Sequence, residues 1–313
     1  MEFGISAGAG VETDLRAQRA DASRRAVTDH ILALADRAGY GAALIDAVAP
    51  GSSEASVITW PQFARTIRAA AHGLSRRGLR EDDTAGILVH DAVSHVIAVH
   101  AVRAAGAIAA PMRPAQTAAD IAAQLKGCRA RLLITSAELA DLAIQAAERS
   151  WVRQVFAFGE AEGTTPFASL LHTARHGQVH PNGRAGLDGS PSLGRSPSLN
   201  GRADWDGSEG LVDGAAVPDE QVTAQAPDLA GLGPDGPALS LTSRDVVVAA
   251  PPCGDPDVYT SLLDLALAAG AAVVAAPLAQ VPAAVGAYKG TAAVVPRGTD
   301  VPGLAAGRVF AAG

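Results

Sequence analysis

The chain has 313 residues and a formal net charge of −7, and 48% of its residues are hydrophobic but only 4% are aromatic. This length allows one large domain or two smaller ones, with a core built mainly from small aliphatic side chains. The acidic balance gives no electrostatic reason to bind nucleic acid or an anionic membrane. Lys126 and Lys289 are the only lysines in the sequence, which matters because lysine is a common point charge for phosphate.

The sequence favours a cytoplasmic protein. Its N-terminal residues lack the basic region and apolar run of a secretory signal peptide. Cys128 and Cys253 form no disulfide framework, which is typical of a reducing compartment. The weakly charged range 262–287 is interrupted by Asp264 and two prolines, so it predicts a helix, a strand and a second helix rather than a membrane span.

The first half of the chain alternates between helical and strand patterns. Residues 1–20 show no sustained period and predict a flexible arm. Short apolar runs between amphipathic helices predict parallel strands joined by crossovers, in a first α/β subdomain at residues 21–171. Besides the helix that follows Thr59, the predicted helices cover 22–37, 93–105, 117–126 and 136–148, and the predicted strands cover 42–46, 56–58, 84–89, 107–110, 130–134 and 152–158.

The helix that follows Thr59 has the clearest signals. Thr59 and Gln62 have the spacing of a capping box, and Pro61 fits the first turn. Gly78 marks the end of the helix. One apolar stripe predicts its buried face, formed by Phe63, Ile67, Ala70 and Leu74.

A Pro/Gly/Ser-rich stretch, residues 172–237, separates the two halves. It shows no sustained period and contains a short repeat, SPSLGR at 190–195 and SPSLNGR at 196–202. Its apolar content is too low to offset the entropic cost of ordering the backbone. The stretch therefore predicts a disordered linker, with an ordered loop as the alternative.

The alternation resumes in a second and incomplete α/β subdomain at residues 238–313. The whole pattern predicts an α/β fold in which parallel sheets are flanked by helices and a disordered insertion interrupts the chain. In this half the predicted strands cover 244–249, 271–275 and 291–295, a last strand begins at Val309 and Phe310, and the predicted helices cover 257–269 and 279–288.

Several segments, in this order, carry a resemblance to one enzyme family. In the first half they are ALID at 43–46, ITWPQFARTIRAAAHGLSRRGLREDD at 58–83, HVIAVHAVRAAGAIAAPMRPAQTAADIAAQLKGCRARLLITSAEL at 95–139 and VFAFGEAEGTTPFASLL at 155–171. In the second half they are RDVVVAAPP at 244–252 and LLDLALAAGAAVVAAP at 262–277. Together they resemble the 4-coumarate–CoA ligase branch of the adenylate-forming superfamily, over roughly residues 30–172 and 239–300.

The resemblance implies part of the N-terminal large domain of an acyl- or aryl-CoA synthetase. Such enzymes hold ATP with a Ser/Thr/Gly-rich loop ending in Pro-Lys-Gly, whose N–H groups and ammonium stabilise the leaving pyrophosphate. Residues 172–243 contain no such loop, and no lysine lies between Lys126 and Lys289. By the same resemblance, the later ATP-binding motifs and the C-terminal lid would lie beyond Gly313. We therefore expect a truncated and inactive relative.

The resemblance suggests two candidates for a substrate pocket. An ungapped match places Asp255 where relatives have a pocket histidine. Tyr259 would line the same acid pocket, or pack beneath its helix. Cys253 follows a predicted strand without a neighbouring base in the sequence, which favours a structural thiol.

Three histidines, His90, His95 and His100, are spaced by five residues. Successive members are about 140° apart around a helix, so they do not share a face. We expect ordinary histidines, partly buried or at the surface, rather than a zinc site. The sequence predicts no catalytic, cofactor-binding or metal-binding residue.

Three interpretations of function remain open. The first is a non-catalytic acyl-CoA ligase-like protein without cofactors, which retains a partner-binding surface or part of an acid pocket. The second is a functional ATP-dependent carboxylate–CoA ligase for an aryl or fatty acid, which uses ATP, Mg²⁺ and CoA and acts alone or with a complementing subunit. The third is a decayed gene product without a selected role. The expected partners are a second protein or a complementing ligase subunit, and neither nucleic acid nor a membrane.

Overall fold

Two β-sheets with helices between and outside them form the architecture of this protein. The computed structural model describes residues 7–47, 56–172, 222–223, 240–305 and 308–312, with side chains from residue 20 onward except at 222–223 and 240. The helices are α1 (Ala7–Arg37), α2 (Trp60–Arg76), α3 (Ala92–Ala104), α4 (Ala118–Gly127), α5 (Ala140–Glu148), α6 (Ala168–Leu171), α7 (Pro256–Ala268) and α8 (Val281–Ala287).

Sheet A combines strands from both ends of the chain. Its order among the described residues is β13–β12–β10–β11–β1–β2. All neighbours are parallel except β1 and β2, which are antiparallel. The strands are β1 (Ala42–Asp46), β2 (Ser56–Thr59), β10 (Val246–Ala249), β11 (Ala272–Ala275), β12 (Ala292–Val295) and β13 (Val309–Ala311).

Sheet B comes from the middle of the chain and is parallel at every described pairing, in the order β4–β3–β5–β6–β7. Its strands are β3 (Thr84–Leu88), β4 (Ile108–Pro111), β5 (Leu132–Ser136), β6 (Gln154–Phe158) and β7 (Thr165–Pro166). A separate antiparallel pair joins β8 (Val222–Thr223) to β9 (Ser240–Leu241).

The helices form a central layer between the sheets and an outer layer on each side. Helices α1, α2, α3 and α7 share one apolar cluster with the inner faces of both sheets. Helix α8 packs on the outer face of sheet A, and α4 and α5 pack on the outer face of sheet B. Within the described part of the chain, no helix combines the length and apolarity needed to cross a bilayer.

Strand β10 shows how the sequence divides between these layers. Its four residues are all buried, because helices cover both faces of the sheet. Val247 and Ala249 belong to the central cluster, whereas Val246 and Val248 belong to the outer cluster beneath α8. This alternation is the two-residue period of a strand.

The structure confirms the predicted α/β fold with parallel sheets flanked by helices. The strands predicted from the sequence agree with the observed ones to within two residues at each end. The α2 signals are also confirmed: the Thr59 backbone N–H donates to Gln62 Oε1 at 2.8 Å. The predicted stripe is fully buried, at 0% exposure for Phe63, Ile67, Ala70 and Leu74.

Three features differ from the predictions. Helix α1 begins at Ala7, so residues 7–20 are helical rather than a loose arm; Ala, Arg, Glu and Gln favour a helix there even without an apolar stripe. Strands β1 and β2 join the sheet of the C-terminal half, so the sheets do not follow the predicted division at residues 172–237. Most of that linker lies outside the described residues, but Val222 and Thr223 form a short paired strand.

Candidate functional site

A cleft lies at the carboxyl ends of strands from both sheets. It has a volume of about 880 Å³ and is bordered by the ends of β1, β10 and β11 in sheet A and of β3, β5 and β6 in sheet B. Ligands of open parallel sheets commonly bind outside the carboxyl ends of the strands. This cleft is therefore the candidate site, and its polar lining consists of Asp46, Ser56, His90, Asp91, Ser94, Ser136, Glu138 and Gln280.

His90 is the centre of the polar contacts in the cleft. It follows strand β3, and its Nδ1 lies 2.9 Å from Ser136 Oγ at the end of β5. The same nitrogen lies 3.3 Å from Glu138 Oε2 and 3.9 Å from Asp91 Oδ2. The parallel register of β3 and β5 brings these groups together, since both strands end at the same edge of sheet B.

Asp91 also has a local structural role. Its Oδ1 accepts a hydrogen bond of 2.7 Å from the backbone N–H of Ser94, so it is the N-cap of α3. The other oxygen points toward the His90 ring. One carboxylate therefore fixes the start of α3 and adds negative charge to the cleft.

The electrostatics of the cleft are acidic. Asp46, Asp91 and Glu138 line it, and no Lys or Arg is among the described lining residues. Partial desolvation raises the pKa of the Asp46 carboxyl, and the charge of Asp91 raises it further, while His90 lowers it. The cleft thus disfavours additional negative charge.

The cleft does not have the geometry of a metal centre. Among the described residues, no group of three or more His, Cys, Asp or Glu is arranged to hold a metal ion. His90 Nδ1 is already close to Ser136 and Glu138. The arrangement is suited to neutral or positively charged groups, and its described lining has no cationic side chain for a phosphate.

The two pocket candidates from the sequence lie at helix α7. Asp255 is its N-cap, and its Oδ1 accepts hydrogen bonds from the backbone N–H groups of Asp257 and Val258 at 2.9 and 3.1 Å. Tyr259 is fully buried and donates its hydroxyl to the Ala250 carbonyl at 2.7 Å. Neither residue lines the cleft described above, and their assignment to an acid pocket remains a prediction.

Cys253 lies between β10 and α7 and is half-buried. Burial raises the pKa of its thiol to about 11, so the thiol is protonated at neutral pH. A protonated thiol is a poor nucleophile, which agrees with the structural role expected from the sequence.

The three histidines have different environments. His90 lies in the cleft, whereas His95 and His100 are buried, with exposures of 3% and 1%. The expectation of partly buried or surface histidines is therefore wrong for His95 and His100. The reason is that α3 lies in the central layer, where α1, α2 and α7 cover several of its faces.

A buried polar cluster surrounds His95 and His100. His100 lies between the Thr28 hydroxyl and the Asp264 carboxylate, which is the order of groups in a catalytic triad. Thr28 is only 1% exposed, so a substrate has no access to its hydroxyl. We therefore assign the cluster a structural role; its members are Thr28, His95, His100, Arg103, Thr260 and Asp264.

The polar lining of the cleft was not predicted, although the sequence contains a signal for it. Asp46 is the last residue of β1, Ser136 is the last residue of β5, and His90 and Asp91 follow β3. Polar residues directly after buried strands indicate a site at the carboxyl edge of a parallel sheet. The family resemblance directed attention to the loop and to α7 instead.

Two short strands border the part of the chain where the resembling enzymes have their phosphate-binding loop. Strands β8 and β9 pair through Val222 with Leu241 and Thr223 with Ser240. Residues 224–239 connect them and lie outside the described residues. Residues 224–239, which stand where the resembling enzymes have the phosphate-binding loop, are therefore flanked by two antiparallel strands.

Comparison with known proteins identifies related folds. A family model described as AMP-binding enzyme matches residues 35–181. This range covers helix α2 and all of sheet B. The chain is thus similar to AMP-binding enzymes over this region.

Solved structures of CoA ligases share the fold over most of this chain. A long-chain-fatty-acid–CoA ligase from Archaeoglobus fulgidus matches with 18% identity and a TM-score of 0.58, over 86% of this chain and 51% of that one. A benzoate CoA ligase from Burkholderia xenovorans LB400 matches with 16% identity and a TM-score of 0.56, over 86% and 49%.

An anthranilate CoA ligase in complex with anthranoyl-AMP matches with 20% identity and a TM-score of 0.57, over 86% of this chain and 49% of that one. This chain therefore spans about half the length of these three structures. At these identities the likeness concerns the fold alone.

Proposed function

We propose that this chain is a non-catalytic relative of the acyl- and aryl-CoA ligases that keeps the ligase scaffold without a site for ATP. The observation that carries the proposal is the charge of the cleft. Three carboxylates and no Lys or Arg are among its described lining residues. A site for a triphosphate needs the opposite balance, since phosphate is held by cationic side chains and N–H donors.

The size of the repulsion supports this interpretation. Two like charges about 4 Å apart repel by about 1 kcal/mol in water and by about 4 kcal/mol at the effective dielectric of a protein surface. A triphosphate in the cleft would approach Asp46, Asp91 and Glu138. Mg²⁺ bound to ATP would offset part of this repulsion, but the described lining contributes no cation of its own.

The sequence of the connecting segment supports the same conclusion independently. No lysine occurs between Lys126 and Lys289, so none can come from the segment between β8 and β9. In the related ligases, the loop at this position stabilises the leaving pyrophosphate. The loss of one comparable donor costs roughly 3–4 kcal/mol of transition-state stabilisation.

The comparisons support the ligase-like part of the proposal. The family model of AMP-binding enzymes and the fold shared with an anthranilate CoA ligase support descent from an enzyme that activates a carboxylic acid. We extend this to the 4-coumarate–CoA ligase branch on the segments quoted above. The retained role would be to bind a protein partner or a carboxylic acid without activating it.

ATP–pyrophosphate exchange tests the proposal. The purified chain is assayed with Mg²⁺ and with hydroxycinnamic, benzoic and long-chain fatty acids, beside a benzoate CoA ligase as the active control. We expect exchange no higher than in the reaction without acid. Saturable, acid-dependent exchange by this chain would reject the proposal in favour of a functional carboxylate–CoA ligase.

A further inference from the structure

His100 connects three helices of the central layer. It lies on α3, its Nδ1 is 2.9 Å from Thr28 Oγ1 on α1, and its Nε2 is 3.4 Å from Asp264 Oδ1 on α7. A carboxylate can only accept, so the neutral ring carries its proton on Nε2 and accepts at Nδ1 from the Thr28 hydroxyl. Both nitrogens of the neutral ring are thus used.

His95 makes a second connection between α3 and α7. Its Nε2 lies 2.9 Å from Thr260 Oγ1, whose hydroxyl donates to the Pro256 carbonyl at 2.7 Å. Since that hydroxyl has one proton, it accepts from His95. The His95 ring also meets the Tyr259 ring edge-on, with the centroids 5.1 Å apart.

The charges of the cluster balance only while both histidines are neutral. Arg103 Nη1 lies 2.7 Å from Asp264 Oδ2, which pairs one cation with one anion. Protonation of both rings would add two positive charges to this buried layer. The charged and polar groups that face the two rings come from α1, α3 and α7: Thr28, Arg103, Tyr259, Thr260 and Asp264. Phe63 of α2 meets the His100 ring edge-on. Asp91 and Cys253 interact electrostatically with Tyr259.

We propose that the buried polar cluster is an acid-sensitive coupling between the two sheets, in which protonation of His95 and His100 releases α7 from α3 and α1. Helix α7 follows strand β10 of sheet A, and α3 follows strand β3 of sheet B. Asp91, the N-cap of α3, lines the cleft, and so does Pro251 in the connection between β10 and α7. Release of α7 would therefore alter the cleft between the sheets.

The protonation equilibria support this coupling. Burial lowers the pKa of His95 to about 3 and that of His100 to about 4, although Asp264 raises both. In a released state each pKa returns toward its ordinary value of about 6.5. The neutral rings therefore stabilise the packed helices fully above about pH 6.5, and this stabilisation is lost progressively as the pH falls to about 4 for His100 and to about 3 for His95. At pH 5, protonation of one histidine raises the equilibrium constant for release of α7 by about 30-fold, and protonation of both raises it by about 1,000-fold.

Hydrogen exchange of the intact chain, followed by mass spectrometry at pH 7.5 and 5.0 and corrected for intrinsic rates, tests the proposal. We expect amides of α3 and α7 to lose about 1,000-fold of their protection at pH 5.0, while α4 and α5 in the outer layer keep theirs. The His95→Gln/His100→Gln variant should lose this pH response. The His72→Gln variant, altered at an exposed position of α2, should retain it.

Two results would overturn the proposal. One is protection in α3 and α7 that does not change with pH, or that falls equally in every layer. The other is the same response in the double variant as in the wild type. If the double variant does not fold, the two single variants are measured instead. Each should lose only about 30-fold of its protection in α3 and α7 at pH 5.0. A loss of about 1,000-fold in both single variants would contradict the proposal.

Discussion

Asp264 is the carboxylate on which the buried polar cluster depends. It lies 2.7 Å from Arg103 Nη1 and 3.4 Å from His100 Nε2, and it is 8% exposed. Arg103 Nε is also buried and has no hydrogen-bond partner among the described residues. The guanidinium therefore relies on Asp264 to compensate its charge in a layer of low polarity.

Asp264→Ala should be strongly destabilising. It leaves the Arg103 charge buried without a partner, which typically costs about 3–5 kcal/mol of unfolding free energy. Urea denaturation at pH 7.5, with folding monitored by circular dichroism, measures this change. Asp141→Ala on the exposed face of α5 is the matched control and should stay within about 0.5 kcal/mol of the wild type.

A second variant separates charge from packing. Arg103→Met/Asp264→Leu removes both charges and keeps most of the volume, so it should be clearly more stable than Asp264→Ala alone. If Asp264→Ala unfolds at the same urea concentration as the wild type, the pair does not hold α3 to α7 as described.

Helix α2 packs closely on α6 through a glycine. A Cβ at Gly73 would lie 2.3 Å from the Leu170 carbonyl oxygen and 2.7 Å from the Leu170 Cα. These are backbone atoms, so a side-chain rotation cannot relieve the clash. Gly73 thus permits the approach of α6, the helix that follows the last strand of sheet B.

Gly73→Ala should therefore destabilise the protein, against the usual preference of helices for alanine. We expect a loss of about 1–3 kcal/mol, the range of overpacking in a close-packed interior. Thermal unfolding followed by circular dichroism measures it. Gly127→Ala in α4, where a Cβ would meet nothing within 4 Å, is the control and should be neutral or slightly stabilising. Equal melting temperatures for the two variants would contradict the close approach.

The elements that depend on local signals were predictable from the sequence. Helix α2 has a capping box, a proline in the first turn and an apolar stripe, and all three are observed. The pairing of β1 with β11 was not predictable, because it joins residues more than two hundred positions apart. The first turns of α1 were missed because their sequence favours a helix by composition and not by apolar periodicity.

The site was less predictable than the fold for a related reason. A cleft between two sheets combines side chains from strand ends and following turns that are distant in the sequence, such as Asp46 at the end of β1 and Glu138 after β5. No local spacing relates these residues, so their combined charge emerges only after the sheets are assembled. Likewise, the position of α3 in the central layer determines the burial of His95 and His100.

The proposed function rests on two features of the complete fold, the architecture that it shares with CoA ligases and the charge of its cleft. The two sheets and three helical layers share their fold with solved structures of CoA ligases. The described lining of the cleft holds three carboxylates and no Lys or Arg.

Calorimetric titration of the chain with ATP and Mg²⁺ tests this claim most directly. The Asp46→Asn/Asp91→Asn/Glu138→Gln variant serves as the comparison; it removes the charge of the cleft, while Asp91→Asn keeps a side-chain oxygen that can cap α3. For the wild type, we predict a Kd weaker than about 1 mM, which corresponds to less than about 4.1 kcal/mol of binding free energy. The variant should bind ATP more tightly than the wild type, because the repulsion from the three carboxylates is removed. Saturable binding of ATP to the wild type with a Kd tighter than about 1 mM would show that the charge of the cleft does not exclude ATP.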